Sequence, residues 1–523
     1  MIGLIARKDF LLNLTSARFV IGLAVCLLVI PFTLLTSVDR YKQQVSVYKT
    51  ASENADKEYR SVRVYSNVKP VVVHRPEALA VFSEGVSRNM GNTVRFQYGE
   101  YPLLLSGAAG LSNPLLNAFF SLDFATVIAI VLSLFALVFS YDAFTREREN
   151  NTLKMILVNR VNRSAFFIGK FLGILLTLAP MLLFCFLTGM LFLLLSPDIA
   201  LDGAMWTNLL LLFLSALLYV VVFVLFGFFV SAMSKRSSTS IAVCLLCWIW
   251  FLFLVPNMAV WSAKSFVKTE QYDNMRLAMN DVQGPYWKER NEKEQEILKA
   301  LDKNGISHWD YNGYDDGSLE FSGGPRKTLD YHMHLSNWEI PRLIDYADKK
   351  WAVQKEYLDG LVKQERFQQR LALLSPSEIF GQLASSLCYS DPAYYLAWME
   401  RVREYRQTFI DYVRERKLYE SSAWGTRQDP ENFVSDERYR EISQAYEEAF
   451  QKGQEAIRKF FESLSEWNQD YGPLDVTGFP VFDYQPHTRA DAYNFVLARL
   501  ALLMGIALVL LMLTMLRFRN YQL

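Results

Sequence analysis

The chain has no Gly-x-x-x-x-Gly-Lys-Ser/Thr run, so nothing in it can cradle nucleotide phosphates on backbone amides. Gly169-Lys170 comes nearest, and Ser164 stands where the first glycine would be. It has no excess charge of either sign, with 54 Lys and Arg against 54 Asp and Glu. That balance excludes a polybasic nucleic-acid binder. Cysteine is scarce: Cys26, Cys185, Cys244 and Cys247 fall in apolar runs, and Cys388 stands alone. No disulfide framework is therefore available to the polar parts. Cys244-Leu-Leu-Cys247 has redox or metal spacing, but it lies among Leu, Val and Trp, where structural thiols are expected. His332-Met333-His334 lacks further clustered ligands, and His74, His308 and His487 are isolated, so no metal ligand is assigned. No Ser/His/Asp or paired-carboxylate constellation stands out among so many carboxylates, and no catalytic residue is named. Internal repeats and low-complexity tracts are absent.

Hydrophobic residues make up 51% of the chain and are gathered in blocks. Uncharged apolar blocks of about 18 or more residues are transmembrane helices. Six are expected, over 19–38, 124–141, 171–196, 204–234, 237–263 and 492–516. Residues 1–18 are amphipathic, with Leu4, Ile5, Leu11 and Leu12 on one face, which suits a helix lying on membrane lipid. A signal peptide is the rival reading of this start, but the apolar run is too long and no small-x-small cleavage site follows. Pro256 predicts a kink near the end of the fifth span. Arg499 falls inside the sixth run and is expected to snorkel to its outer interface.

Between the spans lie two long inserts. In 39–123, Val62–Tyr65 and Val71–Val73 read as short strands with a turn at Lys69-Pro70, and Arg75–Gly85 as extended chain entering a short helix. Residues 264–491 show helical periodicity over Glu270–Leu301, Pro341–Leu373, Pro376–Leu387, Pro392–Tyr419 and Asp436–Trp467. Gly284-Pro285, Gly323-Gly324-Pro325 and Gly472-Pro473 punctuate it, and 302–330 and 468–490 read as irregular. The long helices should pack as hairpins standing on the membrane. The expected fold class is an all-α polytopic membrane protein: six transmembrane helices, a small mixed α/β external insert and a large mainly helical external domain.

Charge on the short segments orients the spans. Residues 1–18, the 142–170 loop, Lys235-Arg236 and the 517–523 tail carry 13 basic and 4 acidic residues. The short 197–203 loop has Asp198 and Asp202 and no base. By the positive-inside rule both termini are expected to be cytoplasmic and both inserts external. The 40 acidic and 30 basic residues of 264–491 then make a solvated surface.

The 142–170 loop is the most informative stretch. Arg146, Glu147, Arg148 and Glu149 form a charged cluster, Asn150 and Asn151 predict a helix break, and Thr152 can cap a second short helix. Asn162 or Ser164 can cap the helix that re-enters lipid. Leu153, Ile156 and Leu157 add an apolar ridge, with Lys154 among them. A loop that only reversed direction could be much shorter. A helix that fits a cleft on another protein needs both apolar contact and charge pairs.

Glu147-Arg148-Glu149-x-x-Thr152-Leu153-Lys154, followed by Asn162-Arg163 and Gly169-Lys170, resembles the loop between the second and third spans of ABC-2-type (type V) ABC transporter permeases. Asn151 stands where that family usually has Gly. The resemblance implies a coupling helix formed by Arg146, Glu147, Arg148, Glu149, Asn151, Thr152, Leu153, Lys154, Ile156 and Leu157. It implies two copies of a separate ABC ATPase subunit that binds ATP and Mg, a second permease subunit as homodimer or heterodimer, and a possible periplasmic partner. No cofactor is implied for this chain. Arg75–Gly85, and more loosely Leu374-Ser375-Pro376-Ser377, resemble permeases associated with multi-copper enzyme maturation. Two other readings compete: a membrane-anchored sensor or scaffold that binds a partner without transport, and a lipid-acting membrane enzyme. The latter would need a polar catalytic cluster within the spans, and none is seen.

Overall fold

Asp123, Asn162 and Asp202 each stand just before an apolar run, and each caps a helix there. In a computed structural model of the chain, Asp123 Oδ1 accepts from Thr126 N (2.8 Å), Asn162 Oδ1 from Ser164 N (3.0 Å) and Asp202 Oδ1 from Met205 N (2.7 Å). Each satisfies an amide that the first helical turn leaves open. The structure describes residues 2–86, 93–102, 123–150, 152, 162–196, 201–301, 312–313, 319–321, 324–463, 472–483 and 490–519.

A surface helix α1 (Ile2–Leu14) leads into α2 (Ala17–Ser61). Strands β1 (Val71–Val73) and β2 (Thr93–Arg95) pair antiparallel. Then come α3 (Phe124–Ser140), a single turn and a half, α4 (Thr145–Glu149), α5 (Arg163–Leu194), α6 (Gly203–Met233) and α7 (Ser237–Phe266). The second insert contributes α8 (Tyr272–Ala300), a minimal β3–β4 hairpin (Asn312–Gly313, Leu319–Glu320), α9 (Arg326–Ala372), α10 (Pro376–Leu387), α11 (Pro392–Glu415), α12 (Asp436–Lys452) and α13 (Gln454–Ser463). The last helix is α14 (Ala490–Arg519). Among the described residues, α2, α3, α5, α6, α7 and α14 are long and apolar enough to cross a membrane. Many of their outward leucines, such as Leu28, Leu187 and Leu508, are exposed, as a lipid-facing surface requires.

Several expected boundaries move. The first insert does not begin at Asp39, because α2 runs on as one helix to Ser61. Val62–Tyr65 is not a strand: a 3₁₀ turn follows at Tyr65–Asn67, and β1 finds its partner at β2 instead. Pro341 does not open a helix. It lies inside α9, whose 47 residues span roughly 70 Å. Gly284-Pro285 likewise sits within α8. The helix expected over Asp436–Trp467 breaks at Gly453, whose φ of +96° suits glycine.

The inserts share one body at one end of the bundle. Val62, Val68 and Tyr98 of the first bury with Tyr286, Phe409 and Trp424 of the second. Val72, Val94 and Phe96 bury with Trp398 and Val402. Leu474 N donates to Val62 O (2.7 Å) and Arg406 Nη2 to Tyr98 O (2.8 Å).

This body is not confined to the bundle's end. The turn between α9 and α10 enters the bundle, and α10 packs against α3, α6, α7 and α14. Phe380 stacks on Tyr219 of α6, ring centroids 4.9 Å apart. The cause is visible in α7. Over Trp250–Leu254 its hydrogen bonds widen to a π-turn, and Val255 N bonds Trp250 O. In that register Phe251 O looks towards residue 256, which is proline and has no N–H. Ser375 Oγ (2.6 Å) and Ser377 Oγ (3.0 Å) donate to it instead. The expected kink at Pro256 is thus a π-turn just before it. Arg499 does not simply snorkel: its Nε donates to Gln382 Oε1 of α10 (2.9 Å) and its guanidinium covers Phe495.

Candidate functional site

At the other end of the bundle, α4 sits where all six long apolar helices meet. Tyr141 and Asp142 follow α3, and Arg18 near the start of α2 donates to Asp142 Oδ2 (3.0 Å) and Tyr141 Oη (2.8 Å). Ser231 in the last turn of α6 accepts from Phe144 N (3.0 Å) and Thr145 N (3.3 Å). Phe144 is fully buried against Phe166 and Phe167 of α5, Phe228 of α6 and Phe518 of α14.

The charges of α4 complete this junction. Arg148 Nη1 donates to Ser234 O (2.5 Å), one of the carbonyls that the end of α6 leaves open. Glu149 accepts from Ser237 N (2.8 Å) and Ser237 Oγ (2.7 Å), capping the start of α7. Glu147 Oε1 accepts from Lys170 Nζ of α5 (3.1 Å), and Lys170 also lies 3.6 Å from Asp9 Oδ2 of α1. Lys170 is 8% exposed and sits over the Phe166 ring, so a lysine inside an apolar helix is held by two carboxylates and a π-face.

Helix α1 reaches Lys170 because α5 is smooth there. A Cβ on Gly169 would come 2.7 Å from Ile5 Cβ, and one on Gly173 2.9 Å from Asp9 Cβ. Both glycines let α1 lie directly on α5, with Ala6 buried and Leu4, Leu11 and Leu12 exposed.

Of the residues singled out in the sequence, Glu147, Arg148 and Glu149 are brought together with helix ends of this same chain. Arg146 is exposed. The Thr152 hydroxyl donates to Glu147 O (3.2 Å) and to the Glu147 carboxylate, and the amides it was expected to cap lie outside the described residues. Helix α4 ends at Asn150 with φ −83°, not in the left-handed region. Asn151, Leu153, Lys154, Ile156 and Leu157 lie outside the described residues. Asn162, rather than Ser164, caps α5. Sequence reasoning missed Asp9, Arg18, Asp142, Ser231 and Ser237. Lys170 alone carried a signal, as a charge set in an apolar run.

The two histidines of 332–334 lie in α9. The His332 ring lies inside, 4.4 Å from Phe321 and 4.9 Å from Tyr331. No group of three His, Cys, Asp or Glu gathers to hold a metal among the described residues.

Six apolar helices, a surface helix and an interlocked polar end define a multi-pass α-helical membrane protein. The model of the ABC-2 family transporter proteins matches residues 4–523. The chain belongs to that family, and it is a membrane-spanning permease component of an ABC transporter, a class that in general works with an ABC ATPase. No match is found among curated proteins.

Proposed function

We propose that the end of the bundle around α4 faces the cytoplasm of a bacterial cell and is where a partner ATPase acts on this chain. One observation carries the reading: Glu147, Arg148 and Glu149 join α4 to the ends of α5, α6 and α7. A push on the 142–170 loop would therefore reach those helices at once rather than flexing a loop. ATP-driven closure of two ATPase copies, each holding ATP and Mg, would move two such permease subunits, identical or different, and re-pack their spans. Arg146, Glu147, Arg148, Glu149, Asn151, Thr152, Leu153, Lys154, Ile156 and Leu157 form the contact in this reading. The insert body lies outside, and α10 links it to the moving helices, so it can shape a substrate's exit or pass motion to a periplasmic partner. The narrower kinship with permeases of multi-copper enzyme maturation rests on Arg75–Gly85 and Leu374–Ser377 alone.

The tagged chain, purified from its own host in mild detergent, should bring down an ABC ATPase whose hydrolysis it stimulates. Recovery without any ATPase would favour the other reading, a membrane-anchored scaffold that binds a partner without transport. That reading draws on the size of the insert body.

A further inference from the structure

A cavity of about 180 Å³ lies where α10 enters the bundle, between α3, α7, α9 and α10. Its polar lining includes Asp123, Asn257, Glu365, Gln368, Glu378 and Ser385, and no lysine or arginine among the described residues. Asp123 is committed to capping α3 and to Glu84 N. Glu365 is different. It is 5% exposed, and its Oε1 has no hydrogen-bond partner. A carboxylate so buried is costly to ionise unless something supplies the opposite charge. Arg499, which reaches Gln382 in the lining, is committed to that amide and to the Phe495 ring. Burial and Asp391 oppose the ionised form of Glu365, while Arg366 beside it and a hydrogen bond with Gln369 favour it.

We propose that this cavity binds an organic ammonium group, held by Glu365 and Glu378. The volume is several times the ~30 Å³ of one water, so it takes a group of several heavy atoms rather than a lone ion. The described carboxylates do not converge into a metal cage. What the walls offer is dispersed oxygen acceptors, which suit the spread N–H donors of an ammonium and its polar tail. Neither glutamate belongs to a spanning helix. Burial raises both carboxyls, to about 7, with Asp391 adding to the effect at Glu365. The empty site is therefore favoured by the neutral acids: that stability is present at low pH and is lost as pH rises through about 7. The ammonium needs them ionised, so its binding tightens over the same range.

To read this group as transported cargo would rest on the transporter reading, but the binding does not, and its test contains no ATPase. Full-length protein in phosphatidylcholine nanodiscs is titrated with radiolabelled ethanolamine. Saturable binding is expected at pH 8, weaker by roughly ten- to a hundredfold at pH 6, because two protons must leave. Glu365→Gln with Glu378→Gln should abolish it while the protein stays monodisperse and melts no lower than the parent. No saturable binding at pH 8, or equal binding by the double variant, overturns the proposal. Phosphatidylethanolamine nanodiscs separate the sources: competition there means a lipid headgroup is the ligand, and unchanged binding means a soluble amine is.

Discussion

Lys170 shows how one residue can tie three elements. Its ammonium faces Asp9 on α1 and Glu147 on α4, and its stem lies on α5. Lys170→Met would keep the stem and strand two carboxylates beside each other. The partners are partly exposed, so the loss is about 1–2 kcal/mol rather than the ~3–5 of a fully buried pair. The variant should melt earlier in detergent, and protease should cut α1 faster than in the parent. Lys170→Arg should retain most of both properties. A parent-like melt and α1 protection in Lys170→Met would mean that the triad is idle. At this scale the sequence showed a charged cluster but not where its members point, nor the Asp9, Arg18, Asp142, Ser231 and Ser237 that meet around it. Glu147, Arg148 and Glu149 stand out as a cluster by composition. That Arg148 and Glu149 bond Ser234 and Ser237, 86 and 88 residues away, depends on where α6 ends and α7 begins in space.

At the scale of elements, apolar length and caps were the legible signals. Pro376 opens α10 and Leu387 closes it, as the sequence suggested, because Ser375 and Pro376 together make a strong helix start. Pro341 misled: in α9 its lost hydrogen bond is carried by a long helix packed on α8. The entry of α10 into the bundle had no local signal, since it depends on a carbonyl freed in α7, 124 residues away from Ser375. That dependence can be tested. Ser375→Ala with Ser377→Ala leaves Phe251 O unpaired and should cost about 1–3 kcal/mol, while either change alone costs less because the other hydroxyl still donates. Adding Pro256→Ala restores an N–H within reach of Phe251 O and should recover part of the loss in a thermal melt. A harmless double variant, or no recovery from Pro256→Ala, would remove this account of the hairpin.

The whole molecule has two polar ends joined by long helices. In the proposed reading, the charge bias of the short segments puts α4 on the cytoplasmic side and the insert body outside. In a variant with all five cysteines replaced, a cysteine at exposed Lys355 should react with an impermeant thiol reagent in intact spheroplasts, and one at buried Ser377 should not. Reaction at position 355 only after lysis would invert the topology. A soluble 264–491 fragment is a poor substitute for such tests, because its core is completed by Val62, Val72 and Phe96 of the first insert. That shared core was not legible in the sequence, where the two inserts stand apart as separate regions.

The claim on which the rest depends is that the α4 end receives an ATPase. Glu147→Lys with Glu149→Lys would set a cation against Lys170 and uncap α7, turning the 142–170 loop out of its seat. Stimulated ATP hydrolysis, measured on the purified complex in nanodiscs, should fall to the level of the ATPase alone, with the permease still inserted. Lys42→Glu, on the exposed far part of α2, should leave hydrolysis unchanged. Full association and full stimulation in the double reversal would contradict the account.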